Sequence, residues 1–257
     1  MIATVVSQYI SAVYIVAYLA KMSGAYRLSL GDLKIYKREI FAILKIGLPA
    51  GIQNSLFSIS NVIIQSSVNS FGSSAMAGIA AGSNYDGYIY VCTNAVAQTT
   101  MTFSSQNLGA GKYENIEKIY RRCLTLAAII AVVLSGVGYF LREQIVGIFS
   151  SESEVIKIGA QRIALVLPFY VFCSLQDVVA GQLRGLGRST EPMFVSLFGT
   201  CGVRLLWIFF ALPYDPTLIN LYWAYPISWT ATFIVLAVMY IFVKRSVVKK
   251  AVLKDDA

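Results

Sequence analysis

Two aspartates lie within apolar segments of the sequence, where a carboxylate is unfavourable and therefore informative. Asp177 lies in VFCSLQDVVAGQL and Asp86 in AGSNYDGYIYV. An aspartate at the centre of a spanning helix costs roughly 2.5–3.5 kcal/mol on insertion scales, and such residues commonly mark an ion pathway or a proton relay. Both are therefore candidates for coupling to a cation or proton. The alternatives are a carboxylate near the outer surface for Asp86, and a structural ion pair with Arg162 or Arg204 for Asp177.

Polar side chains extend these positions into three stripes at helical spacing. The stripe around Asp177 also contains Tyr170, Ser174 and Gly181, and the second runs from Asp86 through a tyrosine and two amides, Tyr90, Asn94 and Gln98. The third has no carboxylate and consists of Asn54, Ser58, Asn61, Gln65 and Asn69. Each stripe stays on one side of a helix. A single intramembrane Asn or Ser usually bonds to a neighbouring helix, but three long stripes favour a water-filled cavity.

The composition places these stripes in a membrane. The 257 residues are 57% hydrophobic and 13% charged, whereas soluble domains are about 25% charged. We predict an all-α polytopic membrane protein with about seven transmembrane helices, each long enough to cross roughly 30 Å of hydrocarbon. The predicted helices are 2–20, 44–68, 76–104, 119–141, 159–183, 192–211 and 221–243.

Basic residues predict the orientation of these helices. Lys and Arg occupy the linker after the first helix, the loop after the third, the turn after the fifth and the tail, while the intervening loops lack them or are mostly acidic. The positive-inside rule then puts the linker and C-terminus in the cytoplasm, and 142–157 outside, in the plasma (inner) membrane. An odd number of helices puts the N-terminus outside, which suggests that residue 1 is not the natural start. The net charge of +8 then reflects cytoplasmic loops, not a nucleic-acid partner.

Two pairs of arginines are expected at the headgroups. Arg162 and Arg204 lie near the outward ends of their helices, where long side chains snorkel to the surface. Arg184 and Arg188 are expected to hold the turn LRGLGRST at the cytoplasmic headgroups.

The linker divides the chain into four parts. Residues 1–22 are predicted to be the last transmembrane helix of a preceding lobe, and 23–43 a cytoplasmic inter-lobe linker. Residues 44–245 would form a six-helix lobe, and 246–257 a basic cytoplasmic tail.

Several kinds of chemistry are excluded. The sequence has no histidine, which excludes histidine-based zinc sites, Ser-His-Asp triads and histidine proton relays. Its four cysteines are scattered through apolar segments without CxxC spacing, as expected of small buried side chains. The stretch NLGAGKY lacks the spacing and the Ser or Thr of a phosphate-binding loop. We therefore predict no metal site, no cofactor and no enzyme activity.

Four stretches of the sequence resemble the MATE (multidrug and toxic compound extrusion) family. They are LKIGLPAGIQNSLFSISN, SSQNLGAGKYENIEK, VAGQLRGLGRSTEPM and LYWAYPISWTATFI. The resemblance follows family order over nearly the whole chain and is to the second half of the family. Helix one resembles the sixth family helix, and helices two to seven resemble the seventh to twelfth.

The resemblance implies a fold and an activity. MATE proteins have two six-helix lobes around a central cleft, and they export cationic or amphipathic small molecules in exchange for H⁺ or Na⁺ by alternating access. The implied partners are a small-molecule substrate, the bilayer and an N-terminal lobe missing from this chain. The alternatives are a related lipid-linked oligosaccharide flippase, whose cavity tends to carry mid-depth Arg or Lys, and a non-transporting scaffold or receptor.

The resemblance also bears on individual residues. Asp177 matches an acidic cavity residue of the tenth family helix, next to the L-R-G turn. Gln53 and Asn54 stand in the seventh helix, where some members carry a glutamate, so this sequence departs from the pattern there. Asp86 matches a region where many relatives have Arg-x-[Glu/Asp/Gln].

Overall fold

The structure is a computed structural model that describes the backbone of residues 2–23, 27–29, 31 and 34–255, and their side chains except those of 2–4, 46, 54 and 246–255. Within these residues all regular structure is helical, which confirms the predicted fold class. The α-helices are α1 (Ile2–Lys21), α2 (Lys37–Asn69), α3 (Ser73–Gly109), α4 (Tyr113–Phe140), α5 (Arg142–Gly147), α6 (Ser153–Val166), α7 (Tyr170–Gly185), α8 (Thr190–Ser196), α9 (Val203–Leu206) and α10 (Leu218–Asp255).

Five helical stretches of the described chain are long and apolar enough to cross a membrane. They are Lys37–Asn69, Tyr113–Phe140, Ser153–Gly185, Thr190–Ala211 and Leu218–Arg245. The third joins α6 and α7 through one 3₁₀ turn. The fourth joins α8 and α9 through one π-helical segment, and a second π-helical segment follows α9. The helices α1 and α3 are not among these five. The described apolar part of α1 is shorter, and α3 is long but interrupted by many Ser, Thr, Asn and Gln residues. The predicted total of about seven transmembrane helices stays a prediction.

The chain forms two compact units, Met1–Leu44 and Lys45–Ala257. The first contains α1 and the start of α2, and the second contains the rest of α2 and all later helices. The assignment of these parts to two lobes of a larger protein stays a prediction.

Small residues let α3 approach α7 closely. A methyl group added at Gly181 would lie 2.6 Å from the carbonyl oxygen of Ala97, and one added at Gly185 would lie 2.7 Å from that of Met101. Both pairs are spaced by four residues, so the same faces meet over two turns. Close backbone approach of this kind drives helix association where lipid removes the hydrophobic advantage of burial.

The other half of α3 packs in the same way on α6. An added methyl group at Gly78 would lie 2.9 Å from the Val155 carbonyl oxygen, and one at Gly159 would lie 2.9 Å from the Gly78 carbonyl oxygen. The helix α3 is therefore held along its length by two neighbours, which fixes the direction in which its polar stripe points.

Candidate functional site

A cavity of about 440 Å³ lies between α2, α3 and α7, within the unit that begins at Lys45. Each of the three helices contributes part of its polar face to the wall. The lining residues are Gly47, Ala50, Gln53, Phe57, Tyr90, Asn94, Ala97, Gln98, Met101, Asp177, Gly181 and Arg184.

Asp177 is the acidic residue of this cavity. Its side chain is half-buried, and it forms no salt bridge within the part of the chain that the structure describes. The contact of Gly181 with Ala97 closes the wall one turn further along α7. A carboxylate without an ion-pair partner, facing a space large enough for water, can accept a proton or bind a cation.

Arg184 lines the same cavity, which corrects the prediction that it lies at the headgroups. Its Nη2 donates a hydrogen bond of 2.7 Å to Oε1 of Gln53, whose side chain is buried on α2. Arg188 is the exposed arginine of the turn and donates to Glu191 over 2.7 Å. The seven-residue spacing from Asp177 to Arg184, two helical turns, was the sequence signal for a shared face.

The α3 wall carries three residues of the predicted stripe. Asn94 Nδ2 donates to the Tyr90 hydroxyl over 3.2 Å, and Gln98 follows one turn later with an exposed side chain. The structure therefore brings four of the predicted lining residues, Gln53, Tyr90, Asn94 and Gln98, to the cavity of Asp177.

The α2 stripe turns away from this cavity. Asn61 and Gln65 are exposed and are not among the lining residues, and Gln65 donates to Asn69 on the same helix over 3.2 Å. Asn54 lies in α2, but its side chain is outside the described residues. Their predicted role in a cavity stays a prediction.

Asp86 lies away from the cavity, in an ion pair with Arg162. Arg162 Nη2 donates to Asp86 Oδ2 over 2.6 Å, and the arginine is only 2% exposed. The hydroxyl of Tyr170 donates to the Asp86 carbonyl oxygen over 3.1 Å, and Ser174 donates to the Tyr170 carbonyl oxygen over 3.2 Å. Tyr170 and Ser174 are buried beside this pair and do not line the cavity.

Arg204 is also buried, at 6% exposure. Its Nε donates to the Ser228 hydroxyl over 3.1 Å, and its guanidinium carbon lies 4.5 Å from the ring centre of Tyr225 and 5.6 Å from that of Trp229. The prediction that Arg162 and Arg204 snorkel to the headgroups is therefore wrong. A carboxylate and aromatic ring faces inside the bundle replace part of the hydration that each guanidinium loses.

The interior thus contains charges of both signs, although the sequence indicated only two mid-depth aspartates. Among the described residues, no group of three or more His, Cys, Asp or Glu side chains is arranged to hold a metal ion. The described interior thus combines the Asp86–Arg162 ion pair with two arginines and an aspartate that form no salt bridge there.

Comparison with known sequences finds a family profile and several relatives that match this chain. The profile of the MatE family matches residues 49–210. The probable multidrug resistance protein YoeA of Bacillus subtilis is 26% identical over 212 residues, covering 82% of this chain and 46% of the relative. The probable multidrug resistance protein NorM of Thermotoga maritima is 22% identical over 204 residues, covering 79% and 44%. The chain therefore spans less than half the length of these two relatives.

Solved structures share the fold. A crystal structure of MATE in complex with MaL6 superimposes with a TM-score of 0.86 at 16% identity, over 96% of this chain and 56% of the other. An outward-facing multidrug resistance MATE family transporter gives a TM-score of 0.84 at 15% identity, over 96% and 56%. At this identity the likeness establishes the fold alone.

Proposed function

Because the chain belongs to the MatE family of membrane transporters, we propose that it forms the C-terminal lobe of a secondary antiporter. The antiporter exports cationic or amphipathic small molecules in exchange for H⁺ or Na⁺. The chain is a multi-pass membrane protein and not an enzyme. In support of the lobe assignment, its matches cover less than half of the multidrug resistance proteins YoeA and NorM.

The proposal assigns each part of the chain a place in the transporter. Residues 1–22 end the preceding lobe, 23–43 link the lobes in the cytoplasm, 44–245 form the C-terminal lobe, and 246–257 form a basic cytoplasmic tail. The missing N-terminal lobe supplies the other wall of the central cleft. The Lys and Arg distribution supports a cytoplasmic C-terminus in the plasma membrane.

The observation that carries the mechanism is the carboxylate of Asp177 in a polar cavity, where it forms no salt bridge to any described residue. A proton or cation that binds Asp177 from outside removes its negative charge and weakens the hold on a cationic substrate. A ligand shifts a conformational equilibrium only by its differential affinity for the two states. The cavity with ionised Asp177 and the cavity with neutralised Asp177 differ by one full charge. This charge gives a cationic substrate different affinities for the two states, as alternating access requires.

The role of Asp86 is a secondary part of the proposal. Arg162 holds one of its carboxylate oxygens, while Oδ1 is buried without a hydrogen-bond partner in the described chain. We place coupling first at Asp177 and keep Asp86 as a second coupling residue that acts only when the pair with Arg162 opens.

The test is ion-driven efflux of ethidium, a cationic dye, by the two-lobe protein in proteoliposomes. An imposed H⁺ or Na⁺ gradient should drive efflux in the wild type, and Asp177→Asn should abolish it. The matched control is Asp215→Asn, since Asp215 is an exposed aspartate in a loop and accepts a hydrogen bond from Thr217. Efflux by Asp177→Asn at the wild-type rate would remove Asp177 from the mechanism. If the rate of ethidium efflux by the wild type does not depend on the H⁺ gradient or on the Na⁺ gradient, antiport is refuted.

A further inference from the structure

The cavity of Asp177 contains a positive charge as well as a negative one. Asp177 and Arg184 are the two charged side chains among its described lining residues. They lie on one face of α7, separated by about 10 Å along the helix axis at 1.5 Å per residue. The described lining residues therefore carry no net formal charge when Asp177 is ionised, and a net positive charge when Asp177 is neutralised.

We infer that Arg184 is the charge that expels a cationic substrate once Asp177 has been neutralised. The inference rests on the antiport proposed above and adds a residue that determines both release and charge selectivity. In this scheme Asp177 attracts the substrate in one state of the cycle. In the other state the charge that remains among the described lining residues, that of Arg184, repels the substrate.

The surroundings of Arg184 suit a fixed charge. The amide oxygen of Gln53 accepts one N–H across 2.7 Å, and Gln53 is itself only 6% exposed, so the head group is tied to α2. A guanidinium stays protonated in proteins, so its charge does not change during the cycle. In addition, Gly185, the next residue, packs on Met101 and anchors this turn of α7 to α3. Gln53 is therefore the positioning residue for Arg184.

The charge of Arg184 is not compensated by a carboxylate of the described chain. Within the described residues Arg184 forms no salt bridge, and its bonded partner is a neutral amide. A direct salt bridge between Arg184 and Asp177 would mask both charges in the ionised state more strongly than their attraction over two helical turns does. At an effective dielectric constant of about 20, a unit charge about 10 Å from a bound monovalent cation changes the affinity for that cation on the order of tenfold.

The experiment measures the affinity of the two-lobe protein for tetraphenylphosphonium, a monovalent lipophilic cation, in detergent. In an Asp177→Asn background, adding Arg184→Gln should raise the affinity about tenfold, because the repulsion is removed. Arg184→Lys keeps the charge and should leave the affinity within about twofold. Arg188→Gln is the matched control, since it removes an arginine from the adjoining turn outside the cavity and should change nothing.

A second variant keeps the inference testable if Arg184→Gln does not fold. Gln53→Glu places a carboxylate at the atom that now accepts the Arg184 hydrogen bond, so it neutralises Arg184 without removing it. In the Asp177→Asn background it should raise the tetraphenylphosphonium affinity to a similar extent.

The outcomes separate this inference from the proposed function. Unchanged or lower affinity in both the Arg184→Gln and Gln53→Glu proteins, with ion-driven efflux intact in the wild type, would overturn the role of Arg184 alone. A wild-type protein that neither binds the probe nor shows ion-driven efflux would overturn the proposed function and this inference with it.

Discussion

Arg162 holds Asp86 across 2.6 Å inside the helix bundle, with the arginine side chain 3% exposed and the aspartate side chain 15% exposed. The pair joins α3 to α6 beside the glycine contacts of the same two helices. Asp177, in contrast, has no such partner within the described chain. The two interior aspartates therefore have different environments, and their neutralisation should have opposite consequences.

Asp86→Asn should destabilise the protein. Removing one partner of a buried ion pair leaves the other charge uncompensated and costs roughly 3–5 kcal/mol. We expect a clearly lower melting temperature in detergent. The double variant Asp86→Leu with Arg162→Met removes both charges and should recover much of the loss. A double variant as unstable as Asp86→Asn would show that the pair is not the cause.

Asp177→Asn should leave stability equal or slightly higher. A half-buried carboxylate without a salt bridge gains little from its charge and loses hydration, so the neutral amide of the same shape relieves a penalty. The measurement is the same thermal unfolding, made in parallel with Asp86→Asn. A drop in melting temperature comparable to that of Asp86→Asn would make Asp177 a structural residue.

Gly181→Ala should weaken the contact between α3 and α7. The added methyl group would lie 2.6 Å from a backbone oxygen of Ala97, which cannot move without shifting α3, and overpacking of this kind costs roughly 1–3 kcal/mol. The matched control is Gly136→Ala, since nothing lies within 4 Å of a methyl group there. That control should be neutral or should stabilise α4 by up to about 1 kcal/mol. Equal stability of the two variants would refute close packing at Gly181.

Cysteine labelling tests the proposed orientation. Ser151→Cys should react with an impermeant maleimide in intact cells, whereas Lys249→Cys should react only after permeabilisation, because the basic tail is proposed to be cytoplasmic. Both variants are made in a protein in which Cys92, the exposed native cysteine, has been replaced by serine. The other three native cysteines are buried. Labelling of Lys249→Cys in intact cells would show that the tail is outside the cell and that the proposed orientation is wrong.

The sequence by itself determined that the chain lies in a membrane and which polar residues share one face of a helix. The low charged fraction and long apolar runs predicted a membrane protein made of helices, because only helices or closed barrels satisfy the backbone in lipid. The family motifs, in order along the chain, indicated the second half of a MATE transporter. The spacing of polar residues placed Asp177 on one face with Gly181, and Tyr90 on one face with Asn94, since helical geometry alone decides such neighbours.

The tertiary structure decided which face meets which helix. Asp86 forms an ion pair with Arg162 because glycines bring α3 and α6 close together. Arg184 lines the cavity because Gln53 of α2 accepts its hydrogen bond. Asn61 and Gln65 have the same periodicity as the cavity residues but lie on an exposed face of α2. Periodicity defines a stripe on one helix, but only contacts between residues distant in sequence determine whether that stripe faces a cavity, a buried charge or the outer surface of the bundle.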